Sequence, residues 1–235
     1  MFHLINNDNL YPYALLALRV NFFYNIIIQN MQKQKNLIKF GQILVWLYGK
    51  LIAATVIKTD VSLPNMDGIA KEKPLIIISN HVSHLDPYLL MGSLSWRELR
   101  IISPMKVMMA KWYFHSPLMP FAWLMGCFPA RPLLKPFKKW SGTAASIRYL
   151  KKGYSLGIYP EGKRVFEDKQ EPHYGVIKIM QSIESYEAHV LLCHINRNKE
   201  NGNEYFISIE QDDSVLKFTE PSLVMDRLFS IGHNV

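Results

Sequence analysis

A chain of 235 residues is long enough for one large domain, or for one domain with an extension, and a 49% hydrophobic share with 12% aromatics excludes a wholly disordered polymer. The 27 Lys and Arg outnumber the 19 Asp and Glu, and the resulting charge of +8 favours phosphate-bearing partners: nucleic acid, anionic lipid or coenzyme phosphates. Cys127 and Cys193, the two cysteines, both lie in apolar surroundings, which argues against a disulfide framework and suits a reducing, cytoplasmic compartment.

In chain order, the N-terminal "MFHLINNDN" lacks a basic region and a small-residue cleavage site, so no cleaved signal peptide is expected. Two long apolar stretches follow, residues 11–28 and 40–57, joined by the polar linker "QNMQKQKNL", and together they read as a helical hairpin. Arg19, Asn21 and Asn25 interrupt the first stretch and Lys50 the second. That pattern predicts helices lying in or dipping into a membrane interface on the cytoplasmic face; packing on the protein core is the alternative. Residues 1–62 are therefore assigned to a membrane-associated hairpin and residues 63–235 to a second, folded domain.

From Lys73 onward, short apolar runs alternate with helical patterns, the signature of an α/β fold: a mixed, largely parallel sheet flanked by helices. The strand candidates are Leu75–Ser79, Arg100–Ser103, Ser155–Tyr159, His189–Ile195 and Tyr205–Glu210. Ser141 can cap a helix that carries Ala144, Ile147 and Leu150 on one side and stops at Gly153. Val176, Ile179, Met180 and Ile183 fit one face of another helix. The uncharged segment Ser116–Ala130, rich in Pro and aromatics, reads as a buried or membrane-facing loop too short to span a bilayer.

Chemistry concentrates in "SNHVSHLDPYLL", Ser79 to Leu90, which follows a buried strand and presents Asn80-His81 at its C-terminal end. Strand ends are where open α/β sheets place their sites. Asp86-Pro87 opens the next helix, with Pro in its first turn, and four residues separate His81 from Asp86. A turn from strand into helix over that distance can bring imidazole and carboxylate into contact. Asp86 would then fix the tautomer of His81 and stabilise its protonated form, leaving the other ring nitrogen to take a proton from a hydroxyl. His84 has no equivalent partner by spacing. In isolation an H-x4-D pair serves as a turn cap and a helix cap. A second segment, "SLGIYPEGKR", changes that reading, because it again runs from strand to a Pro-Glu-Gly turn and places Glu161, Gly162, Lys163 and Arg164 at another strand end. Arg164 can grip a phosphate in bidentate fashion, and Lys163 adds a point charge.

Together "NHVSHLD" and "YPEGKR" resemble the glycerolipid and lysophospholipid acyltransferase superfamily, with a 1-acylglycerol-3-phosphate acyltransferase-like pattern. That family's first block is Asn-His, four residues, Asp, and its third is Phe-Pro-Glu-Gly-Thr-Arg. The resemblance covers about residues 70–200, with the second block met loosely by "GCFPAR", Gly126 to Arg131. Ala130 stands where an acid is common, Lys163 replaces Thr, Val165 stands where Ser is common, and the fourth block survives only as "HVLLCHI".

The resemblance implies direct transfer of a fatty acyl chain from an acyl thioester, carried by coenzyme A or acyl carrier protein, to a lysolipid hydroxyl activated by His81. It implies no acyl-enzyme, no metal and no cofactor beyond the donor substrate. Arg131, Lys163 and Arg164 would bind the acceptor phosphate, and Glu161 would orient the acceptor or hold those basic groups. Ser83 and Cys127 are the candidate nucleophiles for a covalent alternative. A non-catalytic membrane-binding protein with the same fold is a competing class, against which the intact His-Asp pair argues. Nucleic acid is not an expected partner, since the chain carries no helix-turn-helix, zinc pattern or aromatic-basic RNA motif.

Overall fold

The structure, a computed structural model, describes residues 31–55, 58–62, 64, 66, 69, 73–110, 114, 119–131, 141–165, 171–183, 188–198 and 200–234. The predicted helix over 11–28 lies outside them. In chain order the elements are α1 (Met31–Thr55), β1 (Lys58–Ser62), β2 (Leu75–Ser79), α2 (Asp86–Ser93), α3 (Trp96–Ile102), β3 (Met105–Met109) and α4 (Met119–Leu124). They continue with β4 (Cys127–Pro129), α5 (Gly142–Lys151), β5 (Ser155–Ile158), α6 (Gly175–Gln181), β6 (His189–Arg197), β7 (Glu204–Gln211) and α7 (Pro221–Ser230).

The strands form one seven-stranded sheet in the order β1-β7-β6-β2-β5-β3-β4. Every neighbouring pair is parallel except β6–β7, a hairpin that registers Leu191 with Gln211 and Arg197 with Tyr205. β2 sits between β6 and β5, and all five of its residues are buried, as a strand covered on both faces requires. Its side chains alternate between two cores. Ile76 and Ile78 join Leu156, Ile158, Val190 and Leu192 under α5, α6 and α7; Leu75 and Ile77 join Leu191, Cys193 and Ile207 under α1, α2 and α3. The result is a three-layer α/β/α sandwich with the predicted mixed, largely parallel sheet.

Several expectations need correction. The predicted strand Arg100–Ser103 is the last turn and cap of α3. A capping box starts that helix: the Ser95 N–H donates to Glu98 Oε2 at 2.6 Å, and the Glu98 N–H donates to Ser95 Oγ at 3.3 Å. The strand follows instead at Met105–Met109, where buried Lys106 interrupts the apolar pattern. Ser116–Ala130 is not a loop where it is described, because it holds α4, stopped by Gly126 at φ +89°, and the three-residue β4. β1 was not predicted, and although it precedes residue 63 it pairs with β7 as the sheet's edge.

α1 begins nine residues before the predicted 40–57 stretch, so the polar linker is helical from Met31 onward. Ile38, Gln42, Val45, Gly49 and Ile52 are buried along one side. Gly49 lies against α2 so closely that a Cβ there would sit 2.2 Å from the Tyr88 carbonyl oxygen. Gln42 satisfies its buried amide by donating to the Met105 carbonyl at 2.7 Å and accepting from the Met105 N–H at 3.1 Å. The opposite side of α1 is also apolar: Leu37, Phe40, Leu44, Leu47, Tyr48 and Leu51 are exposed at helical spacing. Over Gln32–Thr55 the helix is long and apolar enough to cross a membrane, yet a third of its most apolar window is buried inside the protein.

Candidate active site

The loops leaving the C-terminal ends of β2 and β5, adjacent parallel strands, meet at the same sheet edge. The Val165 N–H donates to the His81 carbonyl at 2.7 Å, and the His81 N–H donates to Glu161 Oε2 at 2.9 Å, so the two loops tie one another's backbones. Asn80 anchors the first loop to β6, where its side chain accepts from the Ile195 N–H at 2.7 Å and donates to the Ile195 carbonyl at 2.8 Å.

On this base His81 Nδ1 lies 2.7 Å from Asp86 Oδ2. The carboxylate is fully buried and also accepts from Val82 N–H at 2.7 Å, Ser83 N–H at 2.9 Å and the Ser83 hydroxyl at 2.6 Å. A carboxylate so placed accepts a proton held on Nδ1, so Nε2 presents its lone pair away from Asp86. The His81 side chain remains 22% exposed, so the imidazole is not sealed inside the protein. The Tyr159 ring stacks on the imidazole with centroids 4.4 Å apart and planes inclined 29°, fixing the ring's second degree of freedom. Burial, then the Asp86 carboxylate, pushes the Tyr159 phenol well above its usual range, so it remains neutral.

The third block turns through Gly162 at φ +65°, closed by the Gly162 N–H donating to the Tyr159 carbonyl at 3.0 Å. A Cβ at Gly162 would stand 2.5 Å from the His173 ring, which makes glycine a steric as well as a conformational requirement. Glu161 is only 2% exposed, and burial, partly offset by its bond from the His81 N–H, pushes its carboxyl up to about 7. Its described partner is thus the His81 backbone. Arg164 meets His84 Nε2 through its guanidinium, which supplies the partner that sequence spacing did not give His84. Lys163 is exposed beside it. Arg131 is exposed just past β4 on the same edge, but three strands from β2, about 14 Å at ~4.8 Å per strand. Among the described residues, the structure therefore gathers His81, Asp86, Glu161, Gly162 and Arg164 and leaves Arg131 at the periphery.

The candidate nucleophiles fare differently. The Ser83 hydroxyl is committed to Asp86 and also accepts from the Leu85 N–H at 3.0 Å, so it holds the carboxylate rather than facing the histidine. Cys127 is buried in β4, and burial pushes its thiol up to about 12. Tyr159 is a positioning residue that sequence reasoning missed, and Ser83, expected there as a candidate nucleophile, positions the carboxylate. The aromatic before the Pro-Glu-Gly turn was the available signal for Tyr159.

The fold is a three-layer α/β sandwich that places a histidine–carboxylate pair beyond the C-terminal end of a central parallel strand. A family model described as Acyltransferase matches residues 60–193, more than half of the chain, and the protein belongs to that family. Its fold is similar to that of the 1-acyl-sn-glycerophosphate acyltransferase PlsC from Thermotoga maritima, at 16% identity and a TM-score of 0.54, over 94% of this chain and 90% of that one. No curated protein matches the chain.

Proposed function

We propose that the protein moves a fatty acyl chain from an acyl thioester, acyl-CoA or acyl carrier protein, to the free hydroxyl of a lysophospholipid, 1-acylglycerol 3-phosphate, in phospholipid biosynthesis. The observation that carries this reading is the 2.7 Å pairing of His81 with buried Asp86 inside the family's matched segment. His81 Nε2 takes the acceptor's hydroxyl proton while Asp86 holds Nδ1–H and stabilises the imidazolium that forms. The alkoxide oxygen bonds to the thioester carbonyl carbon. Collapse of that adduct breaks the C–S bond and expels the thiolate, which recovers the proton from His81. Ester and free thiol are the products, with no acyl-enzyme.

Arg164 and Lys163, at the mouth of the site, supply the charge that would hold the acceptor's phosphate, Arg164 after exchanging its His84 contact. Glu161 and Tyr159 act on His81 rather than on substrate. Membrane attachment is by one leaflet. The exposed Leu37–Leu51 face of α1, joined by exposed Trp96 and Phe121, enters the bilayer while the opposite face stays packed on the domain. Gly49 of α1 packs on α2, the helix that opens with Asp86, which keeps the dyad close to the headgroups on the cytoplasmic side.

The experiment is thiol release from acyl-CoA and from acyl carrier protein with a panel of lysolipids. Release that depends on 1-acylglycerol 3-phosphate supports the reading. Donor consumption that no lysolipid stimulates sinks it.

A further inference from the structure

At the opposite, N-terminal ends of the central strands, a cavity of about 580 Å³ opens between the start of α1, the end of α3 and the starts of β2 and β5. That volume lies within the range of roughly 300–1,000 Å³ typical of small-molecule sites. Lys35, Lys39, Lys73, Arg100 and Lys151 line it, with no acidic residue among its described lining residues. Buried Tyr154 forms part of the wall, and its ring faces Lys35 Nζ at 5.1 Å. Among the described residues, Lys35, Lys39 and Arg100 make no ion pair. Lys35, Lys39 and Arg100, converging from α1 and α3, repel one another. A concave, partly apolar wall concentrates their field instead of letting water disperse it.

We propose that this cleft binds a phosphate group distinct from that of the acyl acceptor. The separation excludes the acceptor itself. Leu75 and Ser155 line the cleft at the beginnings of β2 and β5, whose far ends lead to His81 and Glu161. At ~3.3 Å per strand residue the cleft lies roughly 15–20 Å from the dyad, whereas a glycerol phosphate places its phosphate only a few ångströms from the reacting hydroxyl. Arg100 supplies a planar fork and the lysines supply point charges, a combination suited to a phosphate monoester or diester. Two sources carry that chemistry. One is the headgroup of an anionic phospholipid, since Leu37 and Phe40 are exposed on α1 beside Lys35 and Lys39. The other is a soluble phosphate compound.

The test uses the full-length protein with Lys39→Glu/Arg100→Glu, the milder Lys39→Gln/Arg100→Gln, and a control of equal charge change, Lys178→Glu/Lys217→Glu, on exposed positions elsewhere. Calorimetry measures inorganic pyrophosphate binding. Flotation measures binding to phosphatidylcholine vesicles with and without phosphatidylglycerol. The proposal expects the cleft variants to lose about tenfold or more in one of these anion-dependent affinities, graded from Gln to Glu, while the control keeps it. Loss of pyrophosphate binding assigns a soluble ligand, and loss confined to phosphatidylglycerol vesicles assigns a headgroup. Thiol release with acceptor presented in neutral micelles should be unchanged in every variant. Equal losses in the control pair, or unchanged affinities in both cleft variants, overturn the site.

Discussion

Replacing Asp86 with Asn separates charge from shape at the centre of the dyad. The native carboxylate accepts from His81 at 2.7 Å, Val82 N–H at 2.7 Å, Ser83 N–H at 2.9 Å and the Ser83 hydroxyl at 2.6 Å, all in a fully buried place. An Asn with its oxygen at the Oδ2 position keeps the three N–H contacts to that atom and loses the second one from the Ser83 N–H, 3.0 Å to Oδ1. Its NH2 then meets Ser83 Oγ, which can accept instead of donate. Several charge-assisted bonds become neutral ones, but the cost of burying an anion also disappears, so the net loss of stability is about 1–3 kcal/mol. For a chain of this size that lowers Tm by roughly 2–12 °C. The rate suffers far more. With no carboxylate facing the imidazolium, the general-base contribution of about 10²–10⁴ in kcat is lost. Thiol release from acyl-CoA, with a circular-dichroism melt on the same sample, measures both. A folded Asp86→Asn protein within about threefold of wild-type kcat would refute the assigned role.

Burial pushes the Glu161 carboxyl up to about 7 in the folded protein from its ordinary 4.5 in the unfolded chain, so between these the unfolded chain holds fewer protons and stability falls as pH rises. Glu161→Gln keeps an acceptor for the His81 N–H and removes that dependence; relative to wild type it should gain up to about 3 kcal/mol between pH 4.5 and 8, read from denaturant melts, and a constant difference contradicts this. Lys106 is the opposite case: burial lowers it from 10.5 to about 8, so stability rises with pH across that window, and Lys106→Met should flatten the rise in melts between pH 7.5 and 10.5. Gly49→Ala places a methyl where the Tyr88 carbonyl stands and should cost about 1–3 kcal/mol by prising α1 from α2, visible as a lower Tm. Arg164→Ala should raise KM for a phosphate-bearing lysolipid by roughly ten- to hundredfold and spare a neutral monoacylglycerol; equal losses mean a structural role.

The dyad was legible because its two residues lie five apart on one continuous strand-to-helix turn, so local geometry alone brings them together. The strands β2, β5, β6 and β7 were legible for a related reason, as apolar or alternating runs bounded by turn residues. β3 was hidden by buried Lys106, and β4 is only three residues, too short to display any period. α3 was mistaken for a strand because Ile101-Ile102 reads as β-rich, while the decisive signal, the Ser95–Glu98 capping box, sits one turn earlier. The His84–Arg164 and Glu161–His81 contacts span 80 residues, and no local pattern specifies such pairs. α1 carries two apolar faces, one for the domain and one for the outside, and the sequence displayed their sum without dividing them.

The central claim is that His81 is the base for acyl transfer to a lysolipid hydroxyl. It is tested most directly by thiol release from acyl-CoA with 1-acylglycerol 3-phosphate, comparing wild type with His81→Ala protein whose fold is verified by circular dichroism. Wild type should show acceptor-dependent release, and His81→Ala a loss of about a hundredfold to ten-thousandfold. Acceptor-dependent release at near wild-type rate from the folded His81→Ala protein would contradict it.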